Sequence, residues 1–563
     1  MAATTFTSLS QQELKQEKIF NMIVISNVQS KITNNKIANN LGSLKREASR
    51  LLKLKESDIK TLRISKRSLD ARKKDNIKYL FTLEIELLNG LNEQKVLAKA
   101  KCKDAKIIEK QPYIIEKAPL NIKRPVVVGF GPAGLFAALY LAESGLRPIV
   151  LERGSDVERR EKEVEAIKKQ RILNVESNIQ FGEGGAGTFS DGKLNTGIKD
   201  ERISFVLETF VNNGAPEEIL YEAKPHIGTD KLPSTVKNIR QRIIDLGGEV
   251  HFNTKLIDLD VSGGKVGSVT FEKDGVKELC FTDDVIFAVG HSARDTFEMV
   301  YEKGIMMEAK PFSVGVRIEH KREDVNKSQY VENYKALYSN KLPTADYKAA
   351  VHLPNGRGVY TFCMCPGGTV VPAMSEENTI VTNGMSKFAR MDDNSNAALL
   401  VGIGPEDFGT HPLSGISFQR QLERKAFILG GSNYSAPIEL VGDFLSGKAK
   451  TDVKTVIPSF EPGVKVVDFT ELFPDYITES LQGGIKEIGR KLNFFNDTDA
   501  VLTAPETRSS SPLRIIRNES FNSVNVKGFY PAGEGAGYAG GITSAAVDGL
   551  KCAEALVKKY LQD

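Results

Sequence analysis

Residues 126–152 read VVVGFGPAGLFAALYLAESGLRPIVLE. An apolar run, Val126-Val127-Val128, enters Gly129-Phe130-Gly131-Pro132-Ala133-Gly134, which has the spacing G-x-G-x-x-G. Leu135, Ala138, Leu139 and Ala142 follow at helical spacing. Gly145 ends that helix, and Pro148-Ile149-Val150-Leu151 forms a second strand that stops at Glu152. Each part has a physical task. Gly129 permits the tight strand-to-helix turn, Gly131 lets a pyrophosphate approach the backbone, and Gly134 lets helix and strand pack closely. The helix N-terminus offers free N–H groups and the positive end of its dipole to phosphate. Glu152 stands where an acid accepts from ribose hydroxyls, and its charge repels a 2′-phosphate. The stretch therefore predicts a Rossmann-type dinucleotide-binding unit in an α/β protein. The bare pattern recurs at Gly182–Gly187 and Gly535–Gly540, and Gly402-Ile403-Gly404 matches in part, with Asp407 in place of the third glycine. Only the first copy carries strand, helix, second strand and terminal acid in order.

Two distant segments extend this reading. Thr282–Gly290 is a buried strand ending in Ala288-Val289-Gly290, and it follows a strand start at Gly247–Phe252 near which an adenine can lie. Gly528–Glu534 is a strand running into a turn, after which Gly540-Gly541-Ile542 opens a terminal helix. These segments resemble the threonine–alanine–glycine strand and the C-terminal ribitol-binding strand of two-dinucleotide-domain flavoproteins. Gly182–Leu194, GEGGAGTFSDGKL, resembles the loop that wraps the isoalloxazine in such enzymes, and its N–H groups can form an anion-binding nest. As a whole, residues 20–560 resemble the FAD-dependent dehydrogenases of bacteria also described as NAD(FAD)-utilising dehydrogenases. The segments Lys224–Asp230, His411–Gly415 and Ser510–Ile515 add to the likeness.

The resemblance implies FAD as cofactor, with Glu534 on the flavin ribitol and the N-terminus of the Ile542 helix at the pyrimidine, where it stabilises reduced flavin. The expected FAD contacts are Gly129, Gly131, Pro132, Ala133, Gly134, Glu152, Arg153, Gly184, Gly185, Gly187, Thr188, Lys193, Leu256, Gly290, Gly533, Glu534, Gly541 and Ile542. The family gives no substrate.

Candidate chemistry lies in the expected substrate domain. Gly358–Gly368, GVYTFCMCPGG, reads as a strand entering a turn, with Thr369–Ala373 as the return strand. Cys363 and Cys365 are two apart and face one side of a strand. They suit a redox pair, a proton donor, or small buried hydrophobes; a disulfide between them closes a cramped ring. Tyr360 and His352 are candidate acids for protonating carbon after hydride delivery. Arg508 is a candidate carboxylate anchor, with His411, Arg294 and His291 as further candidates. The six His and five Cys show no metal-ligand spacing. No second Rossmann unit for NAD(P)H is evident.

Ahead of this body, Met22–Ser26, Ile59–Lys66, Tyr79–Leu88 and Val96–Ile108 read as strands, and Asn40–Ser43 opens a helix with Leu44, Ala48, Leu51 and Leu52 on one face. Ser68–Lys74 reads as a polar turn. That pattern predicts a small ferredoxin-like α+β domain over 21–118, behind a disordered lead-in, 1–20. The FAD-binding domain is expected to be discontinuous, 119–300 and 500–563, around an α+β substrate domain at 301–499. Residues 1–120 hold 24 Lys and Arg against 13 Asp and Glu, about +11, so the rest of this +4 chain carries about −7. Such a patch steers an anionic partner: an acidic electron carrier or, less suited for want of stacking aromatics, RNA. Five scattered cysteines argue against a disulfide framework. With no signal-like start and no long apolar run, a cytoplasmic protein is expected. The function expected is an FAD-dependent oxidoreductase passing hydride between flavin and a small substrate, with NAD(P)H or a carrier as electron partner. A flavin-dependent RNA-modifying enzyme and a non-catalytic redox sensor are the alternatives.

Overall fold

The computed structural model describes residues 20–31, 41–119, 122–335, 342–448 and 452–562. The chain divides into two compact units: Met1–Ile114 with Leu220–Pro225 and Asn333–Leu342, and the remainder. The front boundary therefore falls at Ile114 rather than 118, and two short segments from deep in the sequence join the first unit. The flavin and substrate parts expected as separate domains form one compact unit. The lead-in, apart from Phe20, and Asn40 lie outside the described residues.

In the first unit, β1 (Phe20–Lys31), α1 (Leu41–Leu52), β2 (Ile59–Asp70), β3 (Lys78–Leu87), α2 (Glu93–Ala100) and β4 (Ala105–Lys110) follow in that order. The antiparallel sheet runs β2-β3-β1-β4, the ferredoxin-like arrangement. Leu44, Ala48 and Leu52 of α1 and Val96 and Ala100 of α2 pack on Ile23, Ile25, Phe81, Leu83 and Ile85 of one sheet face. The strand expected over Val96–Ile108 is instead a helix followed by a strand. The Asn92 side chain accepts the Lys95 N–H and caps α2, and Glu93–Ala100 is rich in good helix formers. The expected turn at Ser68–Lys74 starts later, because β2 continues to Asp70. Glu222 bridges to Arg67, extending the β2 edge.

The second unit is built on a five-stranded parallel sheet. Its order is Phe529–Pro531, Val285–Phe287, β5 (Val126–Val128), β6 (Ile149–Leu151) and Glu249–His251. The helix α3 (Pro132–Glu143) joins β5 to β6. Ten of its twelve residues are buried, because the C-terminal helix Ile542–Gln562 also lies on it. Gly549 makes that approach possible, since a Cβ there would land on the Ala133 carbonyl. A three-stranded antiparallel sheet, 254–281, covers part of the core.

The second large sheet has seven strands, in the order Ala350–His352, Gly358–Cys365, Asn394–Ile403, Phe312–Lys321, Val501–Glu506, Ala436–Leu440 and Val464–Val466. Phe312–His320 is buried throughout, as expected for a central strand covered on both faces. The return strand does not pair as expected. Thr369–Pro372 pairs with Thr382–Met385, and the neighbours of Gly358–Cys365 are the 350–352 and 394–403 strands.

Candidate functional site

Four glycine-rich segments converge above the carboxyl ends of the parallel strands. Gly129 has φ of +92°, and a Cβ there would strike the Ala288 carbonyl. A Cβ on Gly134 would land on the Gly129 carbonyl. These two glycines are demanded by the chain itself. Gly131 is not: its φ is −73°, and a Cβ would meet only the Gly185 Cα, at 3.7 Å. Its bareness fits a ligand that must come close, as a pyrophosphate does. Gly290, Gly540 and Gly541 likewise face open space. Pro132, Gly184, Gly187, Thr188 and Ile542 line one recess, so the fingerprint, the second loop and the terminal helix share a wall. The first N–H groups of α3 and of the terminal helix have no intrahelical acceptor, which suits anionic and carbonyl oxygens of a flavin dinucleotide.

The Glu152 carboxylate is buried and accepts N–H groups of Phe130 (2.7 Å), Gly154 (2.9 Å) and Gly182 (2.9 Å). It ties the fingerprint to the second loop. Two carboxylate oxygens offer about four acceptor sites, so one remains for a ribose hydroxyl. Sequence reading missed Arg160, the residue that holds the loop in shape. Fully buried, it donates to the carbonyls of Asn178, Ile179, Glu183 and Gly185 at 2.7–2.9 Å. Its only sequence signal is an arginine on the apolar side of a helix. Gly184 N–H donates to the Phe130 carbonyl at 2.8 Å, and Thr188 Oγ1 to that of Glu183 at 3.0 Å.

Other expected contacts have different surroundings. Arg153 pairs with Asp295 and Glu176 and lies over the Phe181 ring. Leu256 belongs to the hydrophobic core. Gly533 N–H donates to Asp548, itself paired with Arg517. Glu534 lies 3.8 Å from His291 Nε2. Burial raises the Glu534 carboxyl to about 7 and lowers the His291 imidazole to about 3, helped by Arg508 and Arg294. His291 is therefore neutral, a hydrogen-bonding rather than a charged neighbour of this site.

Lys193 does not stay with the glycines. Its ammonium lies 2.9 Å from Asp191, 3.6 Å from Cys365 Sγ and 4.0 Å from Cys363 Sγ. Arg317, fully buried, donates to the Cys363 carbonyl (2.8 Å), contacts Cys365 Sγ (3.7 Å), and pairs with Glu506 at 3.0 Å. Gly384 makes room for that guanidinium. A bulge between Phe362 and Cys365 leaves Cys363 with φ of +40°, unusual for a residue with a side chain. Cys365 Sγ donates to the Cys363 carbonyl at 3.3 Å. The neighbouring Cys365 thiol, followed by Lys193 and Arg317 acting against burial, lowers the Cys363 thiol to about 6, while Cys365 is pushed up. In reduced protein, iodoacetamide labelling of Cys363 is expected to slow as pH falls through about 6. A midpoint near the ordinary thiol value of 9.0 refutes that charge state.

The remaining candidates separate from this cluster. Tyr360 donates to Ser313 Oγ at 2.8 Å. His352 is exposed at the sheet edge, and His411 is exposed beside the Tyr301 ring; neither stands in a cleft with the cysteines. Arg508 is not available as a carboxylate anchor. Its guanidinium is buried and donates to Glu423, Ser292 and Ser375. Arg294 is bound the same way to Glu423, Glu376 and Gln419. Both are structural because the buried Glu423 consumes their charge.

The sheet, the fingerprint and the glycine loops define a flavoprotein with FAD as its cofactor. The chain belongs to a family of FAD-dependent proteins. Residues 311–509 match the family described as "FAD-dependent protein, C-terminal domain-like", and residues 22–86 match a domain of unknown function. A relative from Clostridium beijerinckii, described as an uncharacterized protein, is 49% identical over 524 residues, covering 92% of this chain and 96% of its own. Among solved structures, a triple mutant of the flavin-dependent brominase Bmp2 is 14% identical (78% of this chain, 81% of that one, TM-score 0.34). A flavoprotein/dehydrogenase from Cytophaga hutchinsonii is 13% identical (78% and 79%, TM-score 0.33). A geranylgeranyl bacteriochlorophyll reductase-like protein from Thermoplasma acidophilum is 11% identical (78% and 78%, TM-score 0.34). Likeness at this level carries no argument about activity. No helix among the described residues is long and apolar enough to cross a membrane.

Proposed function

We propose that this protein is an FAD-dependent oxidoreductase that passes hydride between the flavin and a small anionic or unsaturated substrate. The observation that carries the reading is Lys193. It continues the loop whose glycines touch the fingerprint, and it contacts both sulfurs of the large sheet, 170 and 172 residues away. The cofactor loop and the substrate-side strand thus share one charged, partly open point. Bound FAD supplies the two-electron chemistry. The chain holds it through Gly131, the α3 N-terminus, Glu152, Glu534 and the N-terminus of the Ile542 helix. Lys193 keeps its charge because Asp191 and the two sulfurs outweigh the burial that opposes it, so it can attract an anionic group. The proton for a reduced substrate comes from Cys365, the protonated member of this cluster, since Tyr360 is engaged by Ser313 and His352 is remote from the cysteines in the fold.

Electrons enter from NAD(P)H or from an acidic carrier drawn to the basic first unit. The RNA alternative loses support there. Arg50, Arg67 and Arg72 are paired with Glu47, Glu222 and Asp70, and Phe81 is a core residue with no face for a base. The test is anaerobic. Substrate panels, NADH, NADPH and reduced flavodoxin are mixed with the holoprotein while the flavin absorbance near 450 nm is followed. Bleaching by a donor and recovery with one substrate class is expected. A flavin that none of them reduces or reoxidises overturns the enzyme reading in favour of the sensor.

A further inference from the structure

We propose that Cys363 and Cys365 form a reversible dithiol–disulfide couple that stores two electrons beside the flavin. The flavin as its electron partner rests on the function proposed above; the couple itself stands on side-chain geometry. Three observations carry it. Both sulfurs converge on one ammonium, Lys193, and Cys365 Sγ donates to the Cys363 carbonyl at 3.3 Å. The strand is bulged at this point, and Cys363 takes a left-handed backbone conformation that two packing residues in a regular strand have no need to adopt. Bulges of this kind re-aim a side chain, and non-glycine residues at positive φ concentrate where strain serves function. Here the bulged strand brings both side chains within reach of the same ammonium, Lys193. The third observation is cationic. Lys193 contacts both sulfurs and Arg317 that of Cys365, and a thiolate beside cations is the form that attacks and leaves in thiol–disulfide chemistry. Cys365 is fully buried and Cys363 partly open, which suits Cys363 for external exchange and Cys365 for resolving.

The balance is simple. Oxidation forms one S–S bond and breaks the Cys365 S–H bond. Two electrons leave the pair for oxidised flavin, and the Cys365 proton leaves with them. The Cys363 thiolate has no proton to lose. Reversal regenerates thiolate and thiol when reduced flavin returns the electrons. Lys193 stays charged throughout and is left with Asp191 when the thiolate disappears.

The experiment is a reductive titration of aerobically purified holoprotein with dithionite under argon, joined to mass-spectrometric thiol trapping. The wild type is expected to consume about four electrons per FAD, two for each centre, against about two for Cys363→Ser or Cys365→Ser. Trapping is expected to label Cys363 and Cys365 only after reduction, with partly exposed Cys102 as a control labelled in both states. Trapping needs no variant, so a serine variant that fails to fold does not blunt the test. Lys193→Met, which retains both thiols, is expected to move the pH midpoint of Cys363 labelling upward by about one unit or more. Consumption of about two electrons by the wild type, with both cysteines labelled in oxidised protein, overturns the couple. Protein that lacks flavin yet still converts the pair supports the couple and counts against the function above.

Discussion

Gly131→Val is expected to give protein that folds, purifies and is colourless. The new Cβ meets only the Gly185 Cα, at 3.7 Å, an ordinary contact, and φ at this position suits any residue. The γ-methyl groups then occupy the space through which a pyrophosphate must reach the α3 N-terminus. Loss of that close approach, with its several N–H contacts, predicts FAD affinity weaker by about a thousandfold, or ~4 kcal/mol. The neighbouring glycines supply the contrast. Gly134→Val drives a side chain into the Gly129 carbonyl, and Gly129→Val adds a clash with Ala288 at positive φ. Both are expected to appear as aggregated or poorly expressed protein rather than as a folded apoprotein. Far-UV circular dichroism and flavin content read the two effects separately. A Gly131→Val protein saturated with FAD refutes this placement of the pyrophosphate.

Glu423→Ala is expected to destabilise the second unit by ~3–5 kcal/mol, because it leaves the Arg508 guanidinium buried without an anion and Arg294 with Glu376 alone. Glu423 is fully buried between Arg294 at 2.7 Å and Arg508 at 3.0 Å, and Thr507 donates to it at 2.6 Å. Burial alone raises a carboxyl pKa; here the two arginines outweigh it and hold Glu423 below its ordinary 4.5. Its contribution is therefore complete above about pH 4.5 and is lost as pH falls toward the lowered folded value. The variant is expected to lose that part of the acid dependence as well as stability at neutral pH. The chain has no tryptophan, so urea unfolding is followed by circular dichroism and flavin release. An unchanged midpoint at pH 7 refutes the claim that Arg294 and Arg508 depend on this carboxylate. The same arrangement explains why Arg508 fails as a substrate anchor: a side chain whose donors are consumed in the core has none to offer.

What the sequence by itself determined is the class of protein and its cofactor. The fingerprint is legible because strand, turn, helix and second strand lie within 27 consecutive residues, and each glycine answers to a local backbone rule. The ferredoxin-like front unit is legible in its alternating strands, except at Glu93–Ala100, a short capped helix only four residues ahead of the strand Ala105–Lys110. Tertiary structure alone decided which polar side chains meet. Nothing near Lys193 in the chain announces that it reaches two sulfurs about 170 residues away, both on one strand, Gly358–Cys365. Arg508 looks like a ligand anchor until Glu423, 85 residues upstream, is found beside it. Arg160 looks like a surface charge until four carbonyls close around it. The physical reason is one of range. Backbone conformation is set by sterics and hydrogen bonds among near neighbours, so it is written locally. The charge state and availability of a side chain depend on burial and on opposite charges, which only the packing of distant segments brings together.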